Sequence, residues 1–93
     1  MLNVGGLYIA ASNVSLFQYD DDSFILYRYV KDEIHPVQVT VHLQHPAQRL
    51  VDLMNGSTYP FRRIEGVYDK DPFEEYITEV VMEPGRYRTF KIV

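Results

Sequence analysis

The sequence predicts an all-β fold, an antiparallel two-layer β-sandwich of about seven to eight strands with immunoglobulin-like or Greek-key connections. Three observations predict it. Val37-Gln38-Val39-Thr40-Val41-His42-Leu43 alternates apolar with polar residues, the period of two that marks a half-buried strand. Short apolar runs are broken by turn residues about every eight to twelve positions, the spacing of sandwiches and barrels. Helical periodicity is nearly absent from the chain.

Gly5-Gly6 gives backbone freedom before a short first strand, Leu7-Tyr8-Ile9-Ala10, and Ser12-Asn13 then punctuates. Residues 14–30 read as a hairpin of two long, centrally placed strands. Its turn is Asp20-Asp21-Asp22-Ser23, whose side chains can bond nearby amides, and its second strand is β-branched and aromatic throughout. Residues 31–36 form a charged loop, and Pro36 launches the alternating strand, which His45-Pro46 closes. Residues 49–54 make a further strand, and Asn55-Gly56-Ser57-Thr58 makes a turn with glycine available for positive φ. Residues 59–61 form a return strand or an irregular edge, since Pro60 cannot donate to a ladder. Residues 62–68 are ambiguous because Gly66 interrupts them, and Asp69-Lys70-Asp71-Pro72 reads as a loop. A strand over 76–82, a Pro84-Gly85 turn and a final strand over 86–93 complete the chain.

With 93 residues, the chain makes one domain over 1–93 with a modest core. A hydrophobic content of 46% and a charged content of 24% belong to a folded chain and not to a disordered one. A net charge of -4 with a pI near 5.2 argues against nucleic acid and anionic membrane as partners. Without cysteine there are no disulfides, thiolate metal sites or thiol nucleophiles. Neither a signal peptide nor a transmembrane run is present, so a complete chain of this sequence is expected in the cytoplasm.

No catalytic motif emerges. Asp20, Asp21 and Asp22 lack the spaced ligands, turn glycine and terminal glutamate of a calcium loop, and read as a solvated turn. His35, His42 and His45 have no fourth ligand at metal-binding spacing; His42 points outward from its strand, and the other two precede prolines in loops. Ser12, Ser15, Ser23 and Ser57 lack the frame of a serine nucleophile. Asn13-Val14-Ser15 matches a glycosylation acceptor pattern that recurs by chance and receives no role. No cofactor and no metal is expected.

Aromatic residues are the class open to a functional reading. Tyr27 and Tyr29 share one strand face with Ile25, while Phe24, Leu26 and Val30 share the other with Arg28. If the second set faces inward, Tyr27 and Tyr29 form an exposed patch that could stack on a sugar or cover a neighbouring domain, packing being the commoner use of such rings. Arg62-Arg63 with Tyr59 and Tyr68 is a second candidate patch.

Three segments carry a resemblance. Asn13-Val14-Ser15-Leu16-Phe17-Gln18-Tyr19-Asp20 running into Ser23-Phe24-Ile25-Leu26, then Leu50-Val51-Asp52-Leu53-Met54-Asn55-Gly56, then Pro84-Gly85-Arg86-Tyr87-Arg88-Thr89-Phe90-Lys91-Ile92 are similar to the small C-terminal β-sandwich domains of glycoside hydrolases. In such domains an Asp-Leu phrase leading to glycine marks a turn, and a strand with an aromatic closes the chain. The resemblance implies a non-catalytic accessory module that packs beside a catalytic barrel, assists stability or oligomerisation, and sometimes binds carbohydrate. Its partner is then a protein, either a catalytic domain or a second copy, with carbohydrate as a further ligand. The alternative is a free-standing immunoglobulin-like interaction domain, and an enzymatic reading would need a pocket assembled from distant carboxylates and histidines.

Overall fold

The computed structural model of the chain describes residues 6–11, 13–28, 35–83 and 86–93. The alternating segment forms a strand as read, because Val39, Val41 and Leu43 can then all enter the core from one side while Gln38, Thr40 and His42 stay out of it. In chain order the described strands are β1 (Tyr8–Ala10), β2 (Val14–Gln18), β3 (Ser23–Arg28), β4 (Val37–Leu43), β5 (Arg49–Asp52), β6 (Thr58–Pro60), β7 (Arg62–Tyr68), β8 (Asp71–Met82) and β9 (Tyr87–Ile92). They build two antiparallel sheets, one ordered β1-β4-β8-β7 and the other β2-β3-β9-β5-β6. This is the β-sandwich the sequence predicts. No helix occurs among the described residues, and so none long and apolar enough to cross a membrane.

The nine described strands exceed the expected seven to eight because residues 58–68 supply two of them. Residues 58–68 change sheets at a single residue, Phe61, so that β6 edges one sheet and β7 edges the other. The Phe61 amide donates to Gln48 O at 2.9 Å, which fixes the corner. The stretch read as a loop over 69–72 is shorter than that: Asp69 and Lys70 alone make the turn, both at positive φ (51° and 71°), and Asp71 and Pro72 already belong to β8. Two successive left-handed residues make the tight turn whose twist matches paired strands. Pro72 is tolerated because β4 pairs only with residues 76–82 of β8, which leaves the start of β8 with β7 as its one ladder neighbour.

The hairpin over 14–28 also forms, with Val14 opposite Arg28 and Gln18 opposite Phe24. Only β3 is central, however. Strand β2 lies at the sheet edge, because β9 returns from the end of the chain to occupy the far side of β3. Strand β5 ends at Asp52 instead of Met54, for a reason given below. Val30 and the Pro84-Gly85 turn lie outside the described residues.

The core sits between the sheets, with Phe24, Leu26, Leu50 and Phe90 from the five-stranded layer against Val39, Val41, Val80 and Met82 from the four-stranded one. The Phe24 and Phe90 rings, on directly paired positions, meet with centroids 5.5 Å apart. Truncating either to alanine would cost about 3–5 kcal/mol. Arg28 follows the alternation of Phe24 and Leu26 inward and is buried, and its Nη1 donates to Met82 O at 2.8 Å, joining the two layers.

Candidate functional site

The two outer faces of the sandwich differ in chemistry. On the four-stranded sheet the outward positions of β1, β4, β8 and β7 carry Tyr8, His42, Glu75, Ile77, Glu79 and Arg62, aligned by the register Tyr8 to His42 to Ile77 to Arg62. Tyr8 stacks flat on His42 with centroids 4.4 Å apart and donates its hydroxyl to Glu75 Oε2. Glu75 pushes the Tyr8 hydroxyl pKa up to about 12, because the carboxylate accepts its proton in a hydrogen bond; burial and the negative charge add to the effect. His42 Nδ1 lies 3.3 Å from the same carboxylate oxygen. Arg62 meets Glu79 through two bonds of 2.8 and 2.6 Å, which holds the Glu79 carboxyl below its usual range. These side chains roof Ile77, which is buried although it points to the outer side.

On the five-stranded sheet the outward positions mix exposed rings with polar side chains, Ser15, Thr89 and Lys91 among them. Tyr27 pairs with Ser15 on one side and Tyr87 on the other, and Ile25 pairs with Phe17 and Thr89. Phe17 is 60% exposed, Tyr87 54%, Leu53 50% and Tyr27 39%. Leu53 is brought there by its amide, which donates to Thr89 O at 2.9 Å. Lys91, 3.9 Å from Asp22, stands on the middle strand β9 between Ser23 and Val51.

Between the layers sits a polar network. Asp52, at the end of β5, is buried, and its Oδ1 accepts the amides of Met54 at 2.8 Å and Asn55 at 3.2 Å, turning the chain before Gly56. This capture ends β5 at Asp52. Gly56, at φ 77°, completes the turn. Asp52 Oδ2 accepts Arg88 Nε at 3.0 Å and Nη2 at 2.6 Å. Burial by itself would push the Asp52 carboxyl up, but Arg88 and the two amides outweigh it and hold the pKa below the ordinary value. Arg88 also bonds Val81 O and the Tyr59 hydroxyl, and its guanidinium lies 5.0 Å from the Phe90 ring centre and 5.3 Å from that of Tyr59.

The candidate residues therefore separate. Tyr27 stands among the exposed rings of the five-stranded sheet as expected of the strand facing, whereas Tyr29 lies outside the described residues. Tyr59 points between the sheets onto Arg88, and Arg62 is held by Glu79 on the opposite outer face. Tyr68, 79% exposed, stands at the tip of the β7–β8 hairpin with Val67 and Phe73. It is six residues along β7 from Arg62, about 20 Å. The patch of Tyr59, Arg62 and Tyr68 is not assembled. Phe17, Leu53 and Tyr87 were not among the expected residues, although Tyr87 could have been reached by phase: three positions from the core residue Phe90, it must face the other way. Among the described residues no group of three potential ligands could hold a metal, and the Asp20 to Asp22 turn uses its carboxylates locally, on the Asp21 amide and the Ser23 hydroxyl.

An antiparallel β-sandwich with one ion-paired outer face, one outer face bearing exposed rings among polar side chains, and a charged clasp at its Asp-Leu turn is thus the class of domain present. A family model described as probable glycosyl hydrolase, C-terminal domain, matches residues 7–92, and the chain belongs to that family. Neither the curated proteins nor the solved structures gave a match.

Proposed function

We propose that the chain is a non-catalytic accessory domain that works with the catalytic domain of a glycoside hydrolase and stabilises it. The observation that carries this reading is the disposition of the carboxylates. Glycoside hydrolysis takes two carboxyl groups facing each other across a sugar-sized gap, about 5–9.5 Å apart, with one held protonated. Asp52, the buried carboxyl, is instead held ionised by Arg88 and the turn amides. Glu75 and Glu79 point from one strand onto an open sheet face, about 13 Å apart along β8 by strand rise. Glu65 and Glu74, paired across β7 and β8, stand close together, but both accept from Arg63 Nη2, at 3.0 and 3.2 Å, which holds the Glu74 carboxyl below its usual range and not protonated. Such groups serve architecture, and the family description supports the same reading.

Deleting the domain from the hydrolase that carries it tests this. The deletion is expected to lower Tm of the catalytic domain by about 4 °C or more and to leave turnover of a small aryl glycoside within about threefold. An unchanged Tm, or glycoside turnover by the 93-residue chain alone, would overturn it.

Contact with carbohydrate is a second reading, favoured by the exposed ring of Tyr68, whose directly paired neighbour Asp71 offers a carboxylate for sugar hydroxyls. Titration of oligosaccharides followed by Tyr68 ring signals tests it; no perturbation up to millimolar sugar would remove it.

A further inference from the structure

We infer that Asn55 is a self-modification site, an asparagine whose side-chain amide is placed to be lost by cyclisation onto the next residue, and that the Asp52 turn holds it dormant while the domain is folded. Of the three asparagines of the chain, Asn3 and Asn13 precede valine and Asn55 precedes glycine. The branched Cβ of a valine screens its own amide nitrogen, whereas Gly56 has no Cβ and moves freely through backbone angles closed to other residues. Asn55 and Gly56 are both exposed, so water reaches them.

The chemistry is internal, with water as the one co-reactant. The Gly56 nitrogen gives up its proton and attacks Asn55 Cγ; the N–Cγ bond forms, the Cγ–Nδ2 bond breaks, and the side-chain nitrogen takes up a proton and leaves as ammonia. Water then opens the ring at either carbonyl and leaves aspartate or isoaspartate at position 55. Isoaspartate routes the main chain through one additional methylene.

The folded turn restrains both reacting groups. The Gly56 amide donates to Asp52 O at 2.8 Å, which occupies the proton that attack must release. Asn55 Oδ1 accepts the Ser57 amide at 2.8 Å, which fixes the side chain, and the Asn55 amide donates to Asp52 Oδ1 at 3.2 Å, which fixes its backbone. Cyclisation therefore waits for the turn to open locally, and its rate scales with the population of the open form. Asp52 anchors the turn because it is buried and held by Arg88. A turn lengthened by isoaspartate no longer returns the Gly56 amide to Asp52 O, so the modification removes its own restraint.

Peptide mapping of the chain after incubation in mildly alkaline buffer tests the inference, with fragmentation that tells isoaspartate from aspartate. In urea, Asn55 is expected to convert at least tenfold faster than Asn3 or Asn13. In the folded chain it is expected to convert at least tenfold more slowly than in urea. The D52A/R88M variant removes the anchor together with the charge that would be stranded, and its folded form should convert Asn55 at least threefold faster than the wild type. Hydrogen exchange of the Gly56 amide in the wild type reads the same opening without any variant, and is expected to be at least tenfold slower than in the unfolded chain. Equal conversion of the three asparagines in urea would overturn the site. Equal conversion of Asn55 in the folded and unfolded chain, or unprotected exchange at Gly56, would overturn the restraint. A folded D52A/R88M that converts at the wild-type rate would remove Asp52 from it.

Discussion

Arg88 donates twice to one oxygen of Asp52, its neighbour in space but 36 positions away in sequence, while the other oxygen of that carboxylate holds the turn that follows it. One buried anion thereby ends β5, shapes the Asp-Leu turn and anchors β9. The remaining Arg88 nitrogen reaches Val81 O in the other sheet, so the clasp also ties the layers together.

Asp52→Asn should therefore cost much of the stability of so small a domain, about 3 kcal/mol or more, because it leaves a half-buried guanidinium without its counter-charge. Urea unfolding measures this. The double variant D52N/R88M removes the stranded charge as well and is expected to regain at least about 1 kcal/mol of the loss. A double variant no more stable than D52N would show that the turn bonds, and not the ion pair, are what matter.

The same pair sets the acid limit. Asp52 titrates below its unfolded value, so its contribution is complete above that value, near pH 4, and is lost as the pH falls through the depressed folded pKa. Tm should drop as the pH falls below about 4, and the drop should be shallower in D52N/R88M. Equal slopes in the two proteins would assign the acid sensitivity to other carboxylates.

Tyr8 sets an alkaline counterpart. Its folded pKa, raised to about 12 by the bond to Glu75, exceeds the ordinary value of 10.0, so the folded state keeps the phenolic proton longer than the unfolded one. The stabilisation is complete below about pH 10 and fades as the pH rises towards 12. In spectrophotometric titration a tyrosine of the wild type should ionise near 12, and the late part of the titration should shrink by one ring in Y8F, leaving Tyr76, which its bond to Glu74 also raises. An unchanged late amplitude in Y8F would show that Tyr8 does not contribute to it.

The β7–β8 turn carries avoidable strain. Lys70 occupies a left-handed conformation at φ 71° that glycine adopts freely. Lys70→Gly is expected to stabilise the domain by about 0.5–1 kcal/mol. Gly66→Ala should do the reverse, because a Cβ there would lie 2.9 Å from the Phe73 ring that covers it. Chemical denaturation of both variants decides, and a neutral G66A would mean that the ring swings aside without loss.

What was legible in the sequence followed from alternation. Val37–Leu43 could be read alone because its core face is uniformly aliphatic, and β3 because Phe24 and Leu26 set its phase. Residues 62–68 were not, since Gly66 in an exposed strand breaks the pattern and its neighbour Phe73 supplies the missing bulk from across the ladder. The candidate patches show the same division. Tyr27 was placed correctly by phase within one strand, whereas Tyr59 and Arg62 sit three positions apart but belong to different sheets. Chain proximity says nothing across a sheet switch, and nothing in the local sequence marks Phe61 as one.

That switch has a mechanical consequence. With a single residue between the last rung of β6 and the first of β7, the arm that ends at Tyr68 is coupled to the rim of the opposite layer with almost no slack. Load applied at the tip passes through Phe61 into β6, and from there through Arg49 and Leu50 into the strand that closes the chain. The two layers form one truss, and force on the arm should unfasten them together in a single rupture when the domain is pulled from Tyr68.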